Sequence, residues 1–255
     1  MAKLISADLA NNKLCILEYT TTDGQMLSIK PEAFDAEIVS HTYTEVGKII
    51  FKKPINTIEE RAFDDCSSLT SITIPDSVTT IEDSAFSGCR SLTEFNSKIA
   101  SQDGRCLISN GRLVAFARAG LTSYTIPDNV IEIGNFAFSR FSSLTSITIP
   151  ESVTTIEDYA FSDCRSLTSI TIPNSVTTID NSAFSSCSSL ISVTIGSSVS
   201  EIGKEAFKNC NIDTIVCCPQ VPPKLNNSFG KFENLIVPTG CEEAYANSDW
   251  GKYLE

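Results

Sequence analysis

A 23-residue period governs most of this chain. Phe63, Phe86, Phe138, Phe161, Phe184 and Phe207 each follow an alanine, and within the runs 63–86 and 138–207 they recur every 23 residues. Cys66, Cys89, Cys164, Cys187 and Cys210 keep step three residues later, with Phe141 in that slot once. The shared frame reads L-x-x-I-x-I-P-x-x-V-x-x-I-x-x-x-A-F-x-x-C. A unit this short cannot cover its own apolar face, so units must stack, and stacking at a fixed period makes a solenoid.

Within one unit the letters L-x-x-I-x-I describe a strand. Ile72 and Ile74 fall on one face and Ser71 and Thr73 on the other, because side chains alternate along extended backbone. Pro75 ends the strand, and Val78, Ile81 and Phe86 return to the same core through short turns or 3-10 segments. The frame predicts nine strands, opening at Val46, Leu69, Leu92, Leu121, Leu144, Leu167, Leu190, Ile212 and Phe232, all in one parallel sheet. The longest interval holds Asn110-Gly111 between "RCLIS" and "RLVAFA", a signature of a two-residue β-hairpin turn with both residues at positive φ. The expected organisation is a strand-rich cap at 1–45 ("KLCILEYT", a turn, then "MLSIKPEAF"), repeats at 46–218 with a hairpin-bearing unit at about 97–120, and a cap at 219–255. In the last part a short helix brings Tyr245, Trp250 and Tyr253 over the final coil.

These units resemble the leucine-rich repeats of the BspA-like family. The resemblance rests on "LTSITIPDSVTTIEDSAFSGC" and its copies, on "YTIPDNVIEIGNFAF", and on "PPKLNNSFGKFENLIVPTGCEEAYANSDWGKY". It implies a right-handed solenoid, horseshoe or arc. It also implies bacterial proteins displayed on or released from the cell, some of which bind matrix proteins or other cells, and it supplies no shared catalytic residues.

Charge and composition narrow the function. A net charge of −12 opposes binding to nucleic acid or to anionic membranes, both of which need a Lys/Arg field. No stretch approaches the roughly 18 apolar residues of a membrane span. The opening residues, broken by Asp8, Asn11, Asn12 and Lys13, lack a signal-peptide core. Two compartments stay open: the cell surface if an export signal has been trimmed, the cytoplasm if Met1 is the native start. The ten cysteines are read as reduced structural thiols, since parallel stacking at about 4.8 Å does not let neighbouring Cβ atoms converge for a bond. One histidine, His41, stands without a nucleophile motif. Recurring acidic pairs such as Glu59-Glu60 and Glu82-Asp83 follow the period and read as solvated turn charge. Neither catalytic residues nor a cofactor or metal site are expected.

What remains is the outward face of the sheet, two columns rich in serine and threonine. Its uniformity breaks at the third coil, with Glu94, Asn96 and a hairpin bearing Arg105, Arg112 and Arg118. The candidate partner-binding set is therefore Glu94, Asn96, Arg105, Arg112, Ser123, Thr125, Ser146, Thr148, Ser169 and Thr171. The expected function is a non-enzymatic, monomeric module that binds a protein or glycan in bacterial adhesion or surface recognition. An intracellular protein-binding scaffold is the alternative, and a polysaccharide hydrolase the remote one.

Overall fold

The computed structural model describes residues 14–254. Residues 1–13, on which the export reading bears, lie outside the described residues. Packing divides the described residues into two compact units, one running to residue 110 and including 114–120, the other of 111–113 and the residues from 121 on.

In the first unit lie β1 (Cys15–Thr21), β2 (Ile38–Tyr43), β3 (Gly47–Phe51), β4 (Thr57–Ile58), β5 (Leu69–Thr73), β6 (Thr80–Ile81), β7 (Glu94–Asn96) and β8 (Cys106–Ser109). One sheet has the order β2-β3-β1-β5-β7. Strand β1 runs antiparallel to both of its neighbours, with Leu17 opposite Ile49 and Tyr19 opposite Ile72. This corrects the expectation that the strand opening at Val46 begins the parallel stack. Strand β3 is held off β5 by β1, whose alternating Cys15, Leu17 and Tyr19 point into the core and close an edge that would otherwise stay unpaired. Thr20 ties the new neighbour down, its hydroxyl bonding those of Thr70 at 2.6 Å and Ser71 at 2.7 Å. Gly47 permits the packing: a Cβ there would overlap the buried Tyr19 ring. The expected strand "MLSIKPEAF" is instead non-repetitive chain ending in a 3-10 turn at Pro31–Ala33, where proline favours the first turn. Strands β5 and β7 are parallel, as are β4 and β6.

Strand β8 forms the expected hairpin with β9 (Arg112–Phe116). Asn110 and Gly111 have φ of 52° and 82°, the left-handed pair that this turn requires.

The second unit is a β-solenoid with two parallel ladders. One is in two hydrogen-bonded segments, β10 (Ser123–Thr125) with β12 (Ser146–Thr148), and β14 (Ser169–Thr171) followed by β16 (Ser192–Ile195), β18 (Thr214–Cys217) and β20 (Asn234–Ile236). The other begins at Arg112–Leu113 of β9 and runs through β11 (Glu132–Ile133), β13 (Thr155–Ile156), β15 (Thr178–Ile179), β17 (Glu201–Ile202) and β19 (Lys224–Leu225). The expected single sheet is thus divided. The Val-x-x-Ile segment places one buried isoleucine beside one outward polar residue, enough for a two-residue strand, and the constant period sets Ile156 against Ile179 in register.

The return segments are turns with a regular twist. Tyr159, Ser182 and Glu205 are left-handed, as are Asp163, Ser186 and Asn209 four residues on, with φ between 54° and 61°. Alternate N–H groups leave the coil: those of Tyr159, Phe161 and Asp163 donate to carbonyls of Asn181, Ala183 and Ser185 at 2.7–3.0 Å. Those between close 3-10-type bonds within the coil, Ser162 to Tyr159 and Cys164 to Phe161. Every backbone donor of the segment from Tyr159 to Cys164 is thereby satisfied without helix or sheet.

Side chains add their own ladders. Phe138, Phe161, Phe184, Phe207 and Phe229 stack at 4.9–5.1 Å with ring planes within 5°. Threonine and serine hydroxyls one period apart donate to the preceding coil: Thr145 to the Thr122 carbonyl, Thr154 to Ile131, Thr177 to Thr154 and Ser200 to Thr177, at 2.9–3.3 Å. Part of the chain's Ser/Thr content is thereby committed to inter-coil hydrogen bonding. At the far end α1 (Glu242–Ala246) and a 3-10 turn at Gly251–Tyr253 bring Trp250 and Tyr253 against Phe229 and Phe232, as the sequence predicts.

Candidate interaction surface

The strand–proline boundary and the alternation along each strand put the predicted hydroxyls on one face of the second unit. Ser123 pairs in register with Ser146, and Thr125 with Thr148. Ser169 and Thr171 pair with Ser192 and Thr194, which pair in turn with Thr214 and Val216. Ser123, Thr125, Ser146, Thr148, Ser169 and Thr171 are all exposed. Among the described residues none of these six hydroxyls has a protein hydrogen-bond partner, unlike the inter-coil hydroxyls above.

Glu94 and Asn96 belong to the first unit, exposed on β7. Arg105 lies in the same unit and is half-buried. Its Nη1 donates to the carbonyls of Ala117 at 3.0 Å and Ala119 at 2.9 Å, closing the base of the hairpin. Arg112 sits in the second unit, where its Nε donates to Glu157 Oε1 at 2.8 Å and its Nη2 to Oε2. Glu157 Oε2 also accepts the Asn135 N–H at 3.0 Å. The structure therefore gathers the six hydroxyls on the second unit, carries Glu94, Asn96 and Arg105 on the first, and gives both arginines structural bonds. The sequence showed a periodic acid at Glu157 but carried no signal that Arg112, 45 residues away, would reach it.

That clasp gives a prediction. Both side chains are three-quarters or more buried, at 25% and 17% exposure, so removing one partner leaves a poorly solvated charge. Glu157→Ala is expected to cost about 2–3 kcal/mol in urea unfolding, while Asp128→Ala, at an exposed position, stays within about 0.5 kcal/mol. Equal small effects from both would show that the clasp carries no stability.

The cysteines are built into the coils. Cys164, Cys187 and Cys210 donate their thiol hydrogens to the carbonyls of Phe138, Phe161 and Phe184 at 3.1–3.3 Å, and Cys89 to Phe63 at 3.2 Å. Each acceptor belongs to the preceding repeat. All ten thiols are free and eight are buried. Burial pushes Cys66 up to about 11 and raises Cys89 further, so neither is a ready nucleophile. His41 sits on β2 with Nε2 2.7 Å from the Tyr19 hydroxyl, and burial lowers its pKa.

The BspA-type leucine-rich-repeat model matches in six copies over residues 32–106 and 112–236. The chain belongs to that family. No curated protein matches. Among solved structures, a leucine-rich cell surface protein from Faecalibacterium prausnitzii is 25% identical, with a TM-score of 0.52 over 77% of this chain and 54% of that one. A leucine-rich-repeat protein from Eubacterium ventriosum is also 25% identical, with a TM-score of 0.57 over 67% and 49%. The pneumococcal vaccine antigen PcpA, at 20% identity and TM-score 0.56 over 74% and 53%, shares the fold. This BspA-type chain spans about half the length of each. The family is a repeat family generally without catalysis, and these likenesses fit a role in interaction or adhesion.

Proposed function

We propose that this BspA-type repeat protein is a non-enzymatic recognition module of the bacterial cell surface, and that the sheet face of its second unit binds a protein or glycan. The observation that carries the reading is the set of outward hydroxyls at Ser123, Thr125, Ser146, Thr148, Ser169 and Thr171, in register from β10 to β12 and from β14 to β16, exposed and, among the described residues, without protein hydrogen-bond partners. Elsewhere in the unit, hydroxyls one period apart bond the preceding coil, so hydroxyls left outward are donors and acceptors offered to another molecule. On the first unit, Glu94 and Asn96 form a separate, charged candidate patch. The cell-surface protein from F. prausnitzii supports the setting.

The experiment is a screen of the protein against glycan arrays and immobilised extracellular-matrix proteins, followed by the variant Ser146→Lys/Ser169→Lys. Two lysines centred on the face are expected to weaken a captured ligand at least tenfold while the melting temperature holds. Capture that is indifferent to these lysines would remove the face from the function.

A further inference from the structure

The second unit carries another feature on its return side. Phe136 and Tyr159 occupy the left-handed position of their coils, at φ of 59° and 57°, where a bulky side chain is disfavoured. Both rings are substantially exposed, at 37% and 40%, and they stack at 4.9 Å with planes 3° apart. The fold does not ask for aromatics here. The same position is Ser182 and Glu205 in the following coils, each left-handed and each sending its N–H to the next coil. The stack offsets part of the backbone strain, but the two rings still leave apolar surface in water.

Acidic side chains lie beside the rings. Asp158 directly precedes Tyr159, and its carbonyl accepts the Phe136 N–H at 3.2 Å. Asn181, whose carbonyl accepts the Tyr159 N–H, directly follows Asp180. The half-buried Asp180 carboxylate has neither hydrogen-bond nor ion-pair partner among the described residues. Burial raises its pKa, and so do Asp158, Glu157 and Glu201 around it; no cation offsets them. Of the nearby cations, Arg112 is committed to Glu157, and Lys204 and Arg140 extend exposed on flanking turns.

We propose that the Phe136–Tyr159 stack and the adjoining Asp158 and Asp180 form a docking site for a cationic polypeptide segment, an arginine or lysine seated against the rings with its charge toward the carboxylates. Charge complementarity names the occupant: an aromatic face attracts a cation, and the Asp158 and Asp180 carboxylates beside it add to that attraction. This surface is distinct from the hydroxyl face and does not depend on it.

The test is calorimetric titration of the full chain with an eight-residue Arg/Gly peptide, its Lys/Gly counterpart and a Glu/Gly control at 0.1 M salt. The two cationic peptides should bind and the acidic one should not. Asparagine tolerates left-handed backbone, as Asn209 does here, so Phe136→Asn/Tyr159→Asn should keep or raise the melting temperature while weakening the Arg peptide at least tenfold. Asp180→Asn should weaken it about fivefold, and Asp213→Asn, on the other side of the coil, should leave it unchanged. Should the double variant unfold, Tyr159→Ser, copying Ser182 of the next coil, carries the same expectation. No binding by the wild type, or losses that follow every removed acid and ignore the rings, would overturn the site.

Discussion

Phe161→Ala is expected to lower the unfolding free energy by about 3–5 kcal/mol, as truncating a fully buried aromatic generally does. The ring has no exposure and lies between Phe138 and Phe184, 5.0 Å from each, with both interplanar angles at 5°. Two effects add. The apolar area returns to partial solvation, and a void opens that cannot collapse, because the inter-coil backbone bonds of the Phe161 and Asp163 N–H groups hold the spacing. Each flanking ring also loses one stacked partner, worth roughly 0.5–1.5 kcal/mol beyond area. Urea unfolding followed by far-ultraviolet circular dichroism measures the change. Tyr159→Ala, two residues away but exposed, is the comparison and should cost far less. A loss under 1 kcal/mol at Phe161 would mean that the stack is ornamental to stability and the coils are held by backbone bonds alone.

The reason Phe161 was identifiable from sequence is the same reason it matters. In a solenoid each residue meets its own counterpart one period away, so a period read from letters is already a contact map. The phenylalanine and cysteine ladders, the buried isoleucines and the Asn110-Gly111 turn all follow from that rule together with local propensity. What the period does not encode is contact between unlike segments. Strand β1, outside the repeat, slips between β3 and β5, and nothing in "CILEYTT" says which edge it will take. By sequence Arg112 is a partner-binding candidate on the hairpin, but β9 and β13 lie two ladder positions apart, close enough for Glu157 to reach it. The second parallel ladder was missed because two-residue strands leave too few letters to show alternation. Strand alternation points these hydroxyls outward, yet the sequence does not separate them from the hydroxyls that bond the preceding coil. That distinction depends on which positions bring a hydroxyl within reach of a carbonyl of the preceding coil, and it is visible only in the folded chain.

Trp250→Ala is the second large effect expected, again about 3–5 kcal/mol, because this residue closes the end of the stack. Its ring is fully buried against Phe229 at 5.3 Å and Tyr245 at 5.7 Å, and its Nε1 donates to the Pro223 carbonyl at 2.9 Å. The alanine variant loses the area and leaves that carbonyl without its donor. Trp250→Phe separates the two contributions: it keeps most of the ring and loses the N–H, so it should cost about 1–2 kcal/mol. A terminal coil has one neighbour where an interior coil has two, so its stability depends on the cap to an unusual degree. The loss should therefore appear first at the C-terminal coils, as faster amide exchange through β18 and β20, with the Phe138 coil protected as before. In the wild type Trp250 is the only tryptophan, so its fluorescence reports the cap directly. A fluorescence midpoint in urea below the circular-dichroism midpoint would show the cap opening ahead of the coils. Coincident midpoints, together with uniform loss of exchange protection in Trp250→Ala, would instead make the second unit a single cooperative block whose end is no weaker than its middle.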